Sequence, residues 1–234
     1  MGGVSTWVDG LIRALPALSF GVCHLYAGQR PGRPAFERPP NVAWHLDLQL
    51  PEALGAIDPE ALAARLPPSR VAHALSTGFA GLVGRALKRQ QRIPLVVTEH
   101  GVYWHEVEQG APELETGLRV LGEDVSGGNP CASRAGWVAW FKDAARQAFA
   151  DADVVTTVTA ANLPLQAAIG FHDAVVIPNG VAPPDALGPL GPDDLAALHA
   201  SARLDATFRV VYLGRVTPLK DVQTIIRAFA RLLA

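Results

Sequence analysis

The sequence predicts an α/β protein with parallel sheets and helices on both faces. Short apolar, β-branched segments alternate with amphipathic segments at helical spacing along most of the chain. Residues 94–98 are an apolar run of the kind expected for a strand buried on both faces. Polar residues follow the ends of several such runs, and open α/β sheets bind ligands at the carboxyl ends of their strands.

The individual elements are predicted from hydrophobic period and turn residues. An amino-terminal helix follows the first glycines, with apolar positions spaced from residue 7 to residue 15. Strands are expected at residues 20–26, 42–46, 71–75, 94–98, 154–158, 175–177 and 210–213. Helices are expected at 58–65, 78–90, 137–150, 160–169 and 193–203, and from residue 222 onward. The segment 102–133 has no period and is either a functional flap or disordered.

Proline and glycine are concentrated between residues 181 and 191, which predicts a linker. Residues 1–182 are therefore expected to form one domain, and residues 183–234 to belong to a second.

The composition is that of a soluble globular protein, since 49% of the 234 residues are apolar and 18% are charged. The net charge of −2 leaves no basic stripe for nucleic acid and no polybasic segment for a membrane surface. Cys23 and Cys131 are too far apart for a Cys-x-x-Cys site, so two free thiols are expected. We expect a cytoplasmic protein without metal or cofactor, attached to the inner face of a membrane only through partners.

The most informative stretch is 210–222, where a predicted strand, a turn and a helix start follow one another. Gly214 permits the tight turn, and Asp221 stands at the expected helix N-cap. Arg215 and Lys220 lie between the strand end and the helix start, a position that favours anions. A planar guanidinium and an ammonium are complementary ligands for a diphosphate. The alternative is two solvated cations on a loop.

Two further groups of residues are candidates for a site. Gly2 and Gly3 open onto the first helix and could offer backbone N–H groups to an anion, unless they belong to a disordered terminus. Glu99 and His100 follow the buried strand, where polar groups face the ligand crevice. His100 could bind a sugar hydroxyl or a diphosphate, whereas both residues could instead cap a turn. His73 alternates into an apolar strand and is expected to be a core histidine.

Four segments, in this order, resemble motifs of the retaining glycosyltransferases of family four, which have the two-domain GT-B fold. They are Gly2–Trp7 (GGVSTW), Thr98–Gly101 (TEHG), Ile177–Val181 (IPNGV) and Gly214–Asp221 (GRVTPLKD). Together with residues 73–82, they are most similar to the pellicle (Pel) exopolysaccharide glycosyltransferases. The resemblance spans nearly the whole chain.

The resemblance implies two Rossmann-like domains, with residues 1–182 on the acceptor side and 183–234 opening the donor-binding domain. It implies transfer of a hexose from a nucleotide-diphosphate sugar, expected to be a UDP-sugar, onto a growing exopolysaccharide with retention at the anomeric carbon. The donor sugar and the saccharide acceptor would be its partners, together with membrane-bound synthase subunits.

The resemblance also assigns roles to residues. Arg215 and Lys220 would stabilise the leaving diphosphate, and His100 would lie near the donor sugar. From its position at the strand end, Glu99 could orient the His100 imidazole or bind the acceptor substrate. The remaining candidates for donor binding are Gly2, Gly3, Ser5, Asn179 and Gly214.

The sequence departs from the family pattern at both ends. No strand precedes Gly2, and the pair of glutamates that the family uses for the nucleotide is not found after Lys220. We therefore expect the 234-residue chain to lack parts of the enzyme and to be inactive by itself. The alternative is a non-catalytic glycosyltransferase-like subunit that docks on a polysaccharide synthase complex.

Overall fold

A computed structural model describes residues 3–28, 37–50, 57–111, 133–180, 191–194, 196–197, 211–214, 216 and 221–232. The chain divides into two compact units, Met1–Asn179 and Gly180–Ala234.

The first unit is a mixed α/β fold with parallel strands, which confirms the predicted class. Its helices are α1 (Gly3–Ala14), α2 (Pro59–Ala63), α3 (Phe79–Gln91), α4 (Tyr103–Glu108), α5 (Arg134–Asp151) and α6 (Leu163–Ala168), with a 3-10 turn at Ala160–Asn162. Its strands are β1 (Phe20–Tyr26), β2 (Val42–Gln49), β3 (Ala72–Ala74), β4 (Leu95–Glu99), β5 (Val154–Thr157) and β6 (Val175–Val176). The second unit contributes α7 (Val222–Leu232).

The strands form two parallel sheets, a pair β1-β2 and a four-stranded sheet in the order β3-β4-β5-β6. In the larger sheet β4 is internal, so its carboxyl end is flanked by strands on both sides. The register pairs Thr98 with Thr156 and Glu99 with Thr157. It also pairs His73 with Val96.

Successive residues of a strand point to opposite faces of a sheet, so the register defines two faces. The core face carries Leu95, Val97 and Glu99, all buried, and α3 and α5 contact β4. The α1 face carries His73, Thr98 and Thr156, which are joined by hydrogen bonds. Trp7 of α1 lies against this second face, with its ring 6.0 Å from that of His73.

The helices over the core face follow from their apolar spacing. On α3 the buried side chains recur one turn apart, as Phe79, Val83 and Leu87 do. On α5 the predicted aromatic stripe is core, because Trp137 and Phe141 are 2% and 1% exposed. A side-chain cap fixes the start of α5. The Ser133 hydroxyl accepts a 3.0 Å hydrogen bond from the backbone N–H of Gly136.

Ion pairs hold the amino end of the larger sheet. Arg85 binds Asp151 at 2.7 Å, and Lys88 binds Asp153 at 2.7 Å. The Asp153 carboxylate also accepts a hydrogen bond from the backbone N–H of Leu95. The Lys88 ammonium and this N–H together lower the pKa of Asp153. The cations of α3 therefore join α3 to the chain around β5, at the end of the sheet opposite to its polar carboxyl edge.

Two predictions about elements are wrong. Residues 211–214 are not in a strand, and Val211 and Leu213 are 83% and 97% exposed. A strand requires a hydrogen-bonded neighbour, and the described residues of the second unit provide none. In the segment expected to lack structure, residues 103–108 form α4, which buries Trp104 and Val107. Residues 112–132 of that segment lie outside the described chain.

The predicted helix start after the cationic turn is confirmed. Helix α7 begins at Val222, and the backbone oxygen of Asp221 accepts a 3.0 Å hydrogen bond from the Thr224 N–H. Cys23 is a free thiol, as predicted, and burial raises its pKa to about 11. Cys131 lies outside the described residues. Within the described chain, no helix is both long enough and apolar enough to cross a membrane.

The packing of α3 on α5 gives a test of the fold. A Cβ at Gly81 would lie 2.9 Å from the Ala148 Cβ and 3.0 Å from the Ser76 backbone oxygen. We expect Gly81→Ala to lower the free energy of unfolding by about 1 to 2 kcal/mol, because overpacking outweighs the helix propensity that alanine adds.

The matched control is Gly10→Ala in α1, where a Cβ would meet nothing within 4 Å. There alanine should stabilise the protein by about 0.5 to 1 kcal/mol. Urea unfolding of both variants checks the pair, and equal stabilisation by the two substitutions would show that α3 and α5 are not in close contact.

Candidate functional site

The candidate site is the carboxyl end of β4 together with the elements that meet it. Thr98 and Glu99 are the last residues of the strand, and His100 follows directly. By alternation Thr98 and His100 belong to the α1 face, whereas Glu99 belongs to the core face. Thr98, Glu99 and His100 are consecutive, but their side chains therefore lie in two different environments.

On the α1 face, side-chain hydrogen bonds cross three strands. Nε2 of His73 lies 2.7 Å from the Thr98 hydroxyl, which lies 2.7 Å from the Thr156 hydroxyl. Both threonines are buried, at 5% and 8% exposure. These hydroxyls fix the orientation of the imidazole.

The expectation that His73 is a core residue is wrong, because the residue is exposed. Its strand has only three residues, and the α1 face beside it is only partly covered. Partial desolvation of the ring, and next the charge of nearby His100, lower the pKa of His73. The ring is therefore neutral at pH 7.

The contact between α1 and β4 is made by Trp7. The indole ring lies 4.8 Å from the ring of His100 at an interplanar angle of 77°, an edge-to-face arrangement. Helix α1 starts at Gly3, about one turn before Trp7. This contact places Trp7, about one turn after the start of α1, beside the predicted strand-end histidine.

Glu99 is buried inside the fold, with 1% of its surface exposed. The Thr77 hydroxyl donates a 3.0 Å hydrogen bond to Oε1, and Nε2 of Gln166 donates a 2.7 Å hydrogen bond to Oε2. Burial raises the pKa of Glu99 to about 7, although both hydrogen bonds act in the opposite direction. The carboxyl group joins β4 to the chain before α3 and to α6. The predicted contact of Glu99 with substrate stays a prediction, and it would require this internal carboxyl group to become accessible.

The polar cluster continues onto β5. The Thr157 hydroxyl donates to the backbone oxygen of Glu99 at 3.3 Å, and Nδ2 of Asn162 donates to that hydroxyl at 2.9 Å. Gln166 is 1% exposed, and its Oε1 has no hydrogen-bond partner among the described residues. Sequence analysis missed Thr77 and Gln166, because no local pattern connects either residue to Glu99.

The other predicted site residues are distributed over the chain. Gly3 is the first residue of α1, Ser5 is exposed on its first turns, and Asn179 is exposed at the end of the first unit. Gly214 lies in a bend of the second unit, where a Cβ would come 2.6 Å from the Tyr212 hydroxyl. Three predicted residues lie outside the described chain: Gly2, Arg215 and Lys220. No three His, Cys, Asp or Glu side chains of the described residues are placed to hold a metal ion.

Comparison with known families identifies the first unit. Residues 1–52 and 50–174 match a family described as a domain of unknown function, DUF3492. The chain belongs to the DUF3492 family. This domain is found in glycosyltransferase-like proteins. The matched residues include Trp7, His73, Thr98, Glu99 and His100, so the whole candidate site lies within the DUF3492 domain. No match to a curated protein is found.

The buried carboxyl group predicts a pH dependence of stability. The pKa of Glu99 is about 7 in the folded protein, and near 4.3 is expected in the unfolded chain. The folded state therefore binds more protons between these values, and stability falls as pH rises through this window. The group's contribution is fully present below the unfolded pKa. Roughly 2 to 4 kcal/mol should be lost by pH 8.

Glu99→Gln should remove this dependence, because a neutral amide keeps the size of the side chain and does not titrate. The measurement is urea unfolding at pH 5, 6, 7 and 8 of the parent, Glu99→Gln and the exposed control Glu108→Gln. We expect the difference between the parent and Glu99→Gln to change with pH, while Glu108→Gln follows the parent. A constant difference would contradict the assigned environment of Glu99.

Proposed function

We propose that this chain is part of a retaining glycosyltransferase with the GT-B architecture of family four, similar to the Pel exopolysaccharide enzymes. The enzyme transfers a hexose from a nucleotide-diphosphate sugar, a UDP-sugar, to a growing exopolysaccharide. The first unit is the acceptor-side domain, and the second unit belongs to the donor-binding domain. The enzyme acts at the inner face of the membrane, to which it is attached through membrane-bound synthase subunits.

The observation that carries this proposal is the contact between Trp7 and His100. It joins the second turn of α1 to the residue that follows β4, about one turn from the helix start. A helix amino terminus attracts phosphate groups, because its first N–H groups are unpaired and its dipole is positive there. An imidazole at the same edge can bind a sugar hydroxyl. A nucleotide-diphosphate sugar carries both of these chemical groups.

The roles of the residues follow from their chemistry. Arg215 and Lys220 stabilise the negative charge that develops on the leaving diphosphate, which requires no metal ion. The backbone of Gly2 and Gly3 faces the phosphates, and His100 binds the donor sugar. Gly214, Ser5 and Asn179 complete the donor contacts. Glu99 supports the site from within, by fixing the strand end that carries His100.

The family assignment supports the same class of function, since the DUF3492 domain is found in glycosyltransferase-like proteins. The alternative, a non-catalytic subunit of a synthase complex, shares the fold but not the need to bind a nucleotide. Nucleotide binding therefore separates the two.

The first test is UDP binding to the full chain by calorimetry. We expect Arg215→Ala and Lys220→Ala each to weaken UDP binding by roughly 30- to 150-fold, because each removes a charge-assisted contact with a phosphate. Arg146→Ala, an exposed cation of α5, is the control and should bind UDP like the parent. A parent that does not bind UDP would favour the non-catalytic subunit. Equal affinities for all variants would refute the phosphate roles.

His100 is tested by comparing UDP with a panel of UDP-hexoses. His100→Ala should leave UDP affinity unchanged and lower the affinity for the preferred UDP-hexose by roughly 3- to 10-fold, because the lost hydrogen bond is to the sugar. Because His100→Ala also removes the ring contact with Trp7, the melting temperature of the variant is measured to detect any loss of stability. Equal losses for UDP and UDP-hexose would place His100 on the phosphates or in the fold instead.

A further inference from the structure

His73 is a titratable side chain near the candidate site that the proposed donor contacts do not use. It is exposed on the α1 face of the larger sheet, in the middle of β3. Farther along this face, Val154 of β5 and Val175 of β6 are 47% and 56% exposed, whereas Thr98 and Thr156 beside the imidazole are buried. The imidazole therefore stands on a sheet surface that is only partly covered.

The ring of His73 is held in place by a hydrogen bond to the sheet. Its Nε2 is engaged by the buried Thr98 hydroxyl, which is engaged in turn by buried Thr156. Within the described chain, none of the hydrogen bonds uses Nδ1 of His73. Two buried hydroxyl groups thus hold Nε2 of His73. Nδ1 is left to bind a partner outside the described fold.

The ring of Trp7 contacts both histidines. Its ring lies 6.0 Å from that of His73 and 4.8 Å from that of His100, edge-on to both. The three side chains form a His–Trp–His cluster, His73–Trp7–His100. An indole beside fixed polar groups suits a ligand with an apolar ring face and hydroxyl groups at its rim.

The charge of the cluster distinguishes between possible ligands. Partial desolvation and the neighbouring His100 both lower the pKa of His73, so this ring is neutral at pH 7. A phosphate would be bound better by an imidazolium, whereas a neutral imidazole can donate to or accept from a hydroxyl group. The cluster therefore fits an uncharged saccharide better than an anion.

We infer that His73 and Trp7 bind the saccharide acceptor, with Nδ1 of His73 hydrogen-bonded to a sugar hydroxyl and the indole of Trp7 packed against a pyranose ring. This inference rests on the proposed function, because it assigns the acceptor to His73 and Trp7 and the donor sugar to the neighbouring His100. Thr98 and Thr156 are positioning residues, which act by orienting the imidazole.

The test uses the full chain with two neutral probes, cellotetraose and maltotetraose, and saturation-transfer NMR with calorimetry as readouts. His73→Gln keeps a polar atom near Nε2 for Thr98 but has nothing at Nδ1, whereas His73→Asn has the reverse. We expect the parent to bind at least one probe with a Kd below about 20 mM, and His73→Gln to weaken binding about 5- to 10-fold. His73→Asn should keep more of the affinity than His73→Gln.

The exposed His172, outside the cluster, provides the control His172→Gln, which should bind the probe like the parent. Trp7→Phe should bind more tightly than Trp7→Ala. Equal affinities of His73→Gln and His172→Gln, or a parent that binds neither tetrasaccharide, would overturn the inference.

UDP binding is measured on the same samples. If UDP binds and the tetrasaccharides do not, the acceptor assignment fails while the proposed function stands. If neither UDP nor a tetrasaccharide binds, both fail together. Loss of the tetrasaccharide alone in His73→Gln, with UDP affinity unchanged, supports the acceptor assignment.

Discussion

The fold depends on satisfying the polar end of an internal strand. Thr98 and Glu99 close β4 at positions that are 5% and 1% exposed, where water cannot replace a missing partner. A buried polar group without a hydrogen bond costs about 1 to 3 kcal/mol. Partners therefore converge on this strand end from both sides, Thr156 from β5 and Thr77 and Gln166 from the chain around α3 and α6. His100 directly follows this strand end and is therefore held in a fixed position.

The polar residues at this strand end have different surroundings on the two faces of the sheet. On the core face Glu99 is surrounded by the fold, and desolvation raises the pKa of its carboxyl group until it titrates near neutrality. On the α1 face the hydroxyls of Thr98 and Thr156 lead outward to His73, an exposed ring. One strand end thus serves as a structural anchor on one face and as a support for the exposed imidazole of His73 on the other.

Local patterns in the sequence were sufficient for most of the fold. Strand β1 spans Phe20–Tyr26, as its apolar run predicted, and α3 and α5 bury the faces that their spacing indicated. What failed depended on long-range partners. The run at 210–213 has the composition of a strand, but strand formation also requires a neighbour. Likewise, β3 was recognised as a strand, but the accessibility of His73 depends on how fully helices cover the α1 face.

The site was predictable only in part for the same reason. His100 could be placed at the sheet edge because it follows a buried run. Its neighbour Trp7 was identified as a helix residue, but the contact between the two joins segments far apart in the chain. The role of Glu99 depends on Thr77 and Gln166, and neither shows a signature in sequence. Tertiary contacts decide whether a polar residue at a strand end is buried support or an accessible ligand.

The central claim is that the first turn of α1 and His100 form one binding edge for a nucleotide-diphosphate sugar. The most direct measurement is a titration of the isotope-labelled chain with a UDP-hexose, monitored by NMR of the backbone amides and histidine rings. The account predicts saturating shifts of the amides of residues 3–7 and of the His100 ring, with matching concentration dependence. Binding of the UDP-hexose that leaves both the α1 amides and the His100 ring unshifted would contradict it.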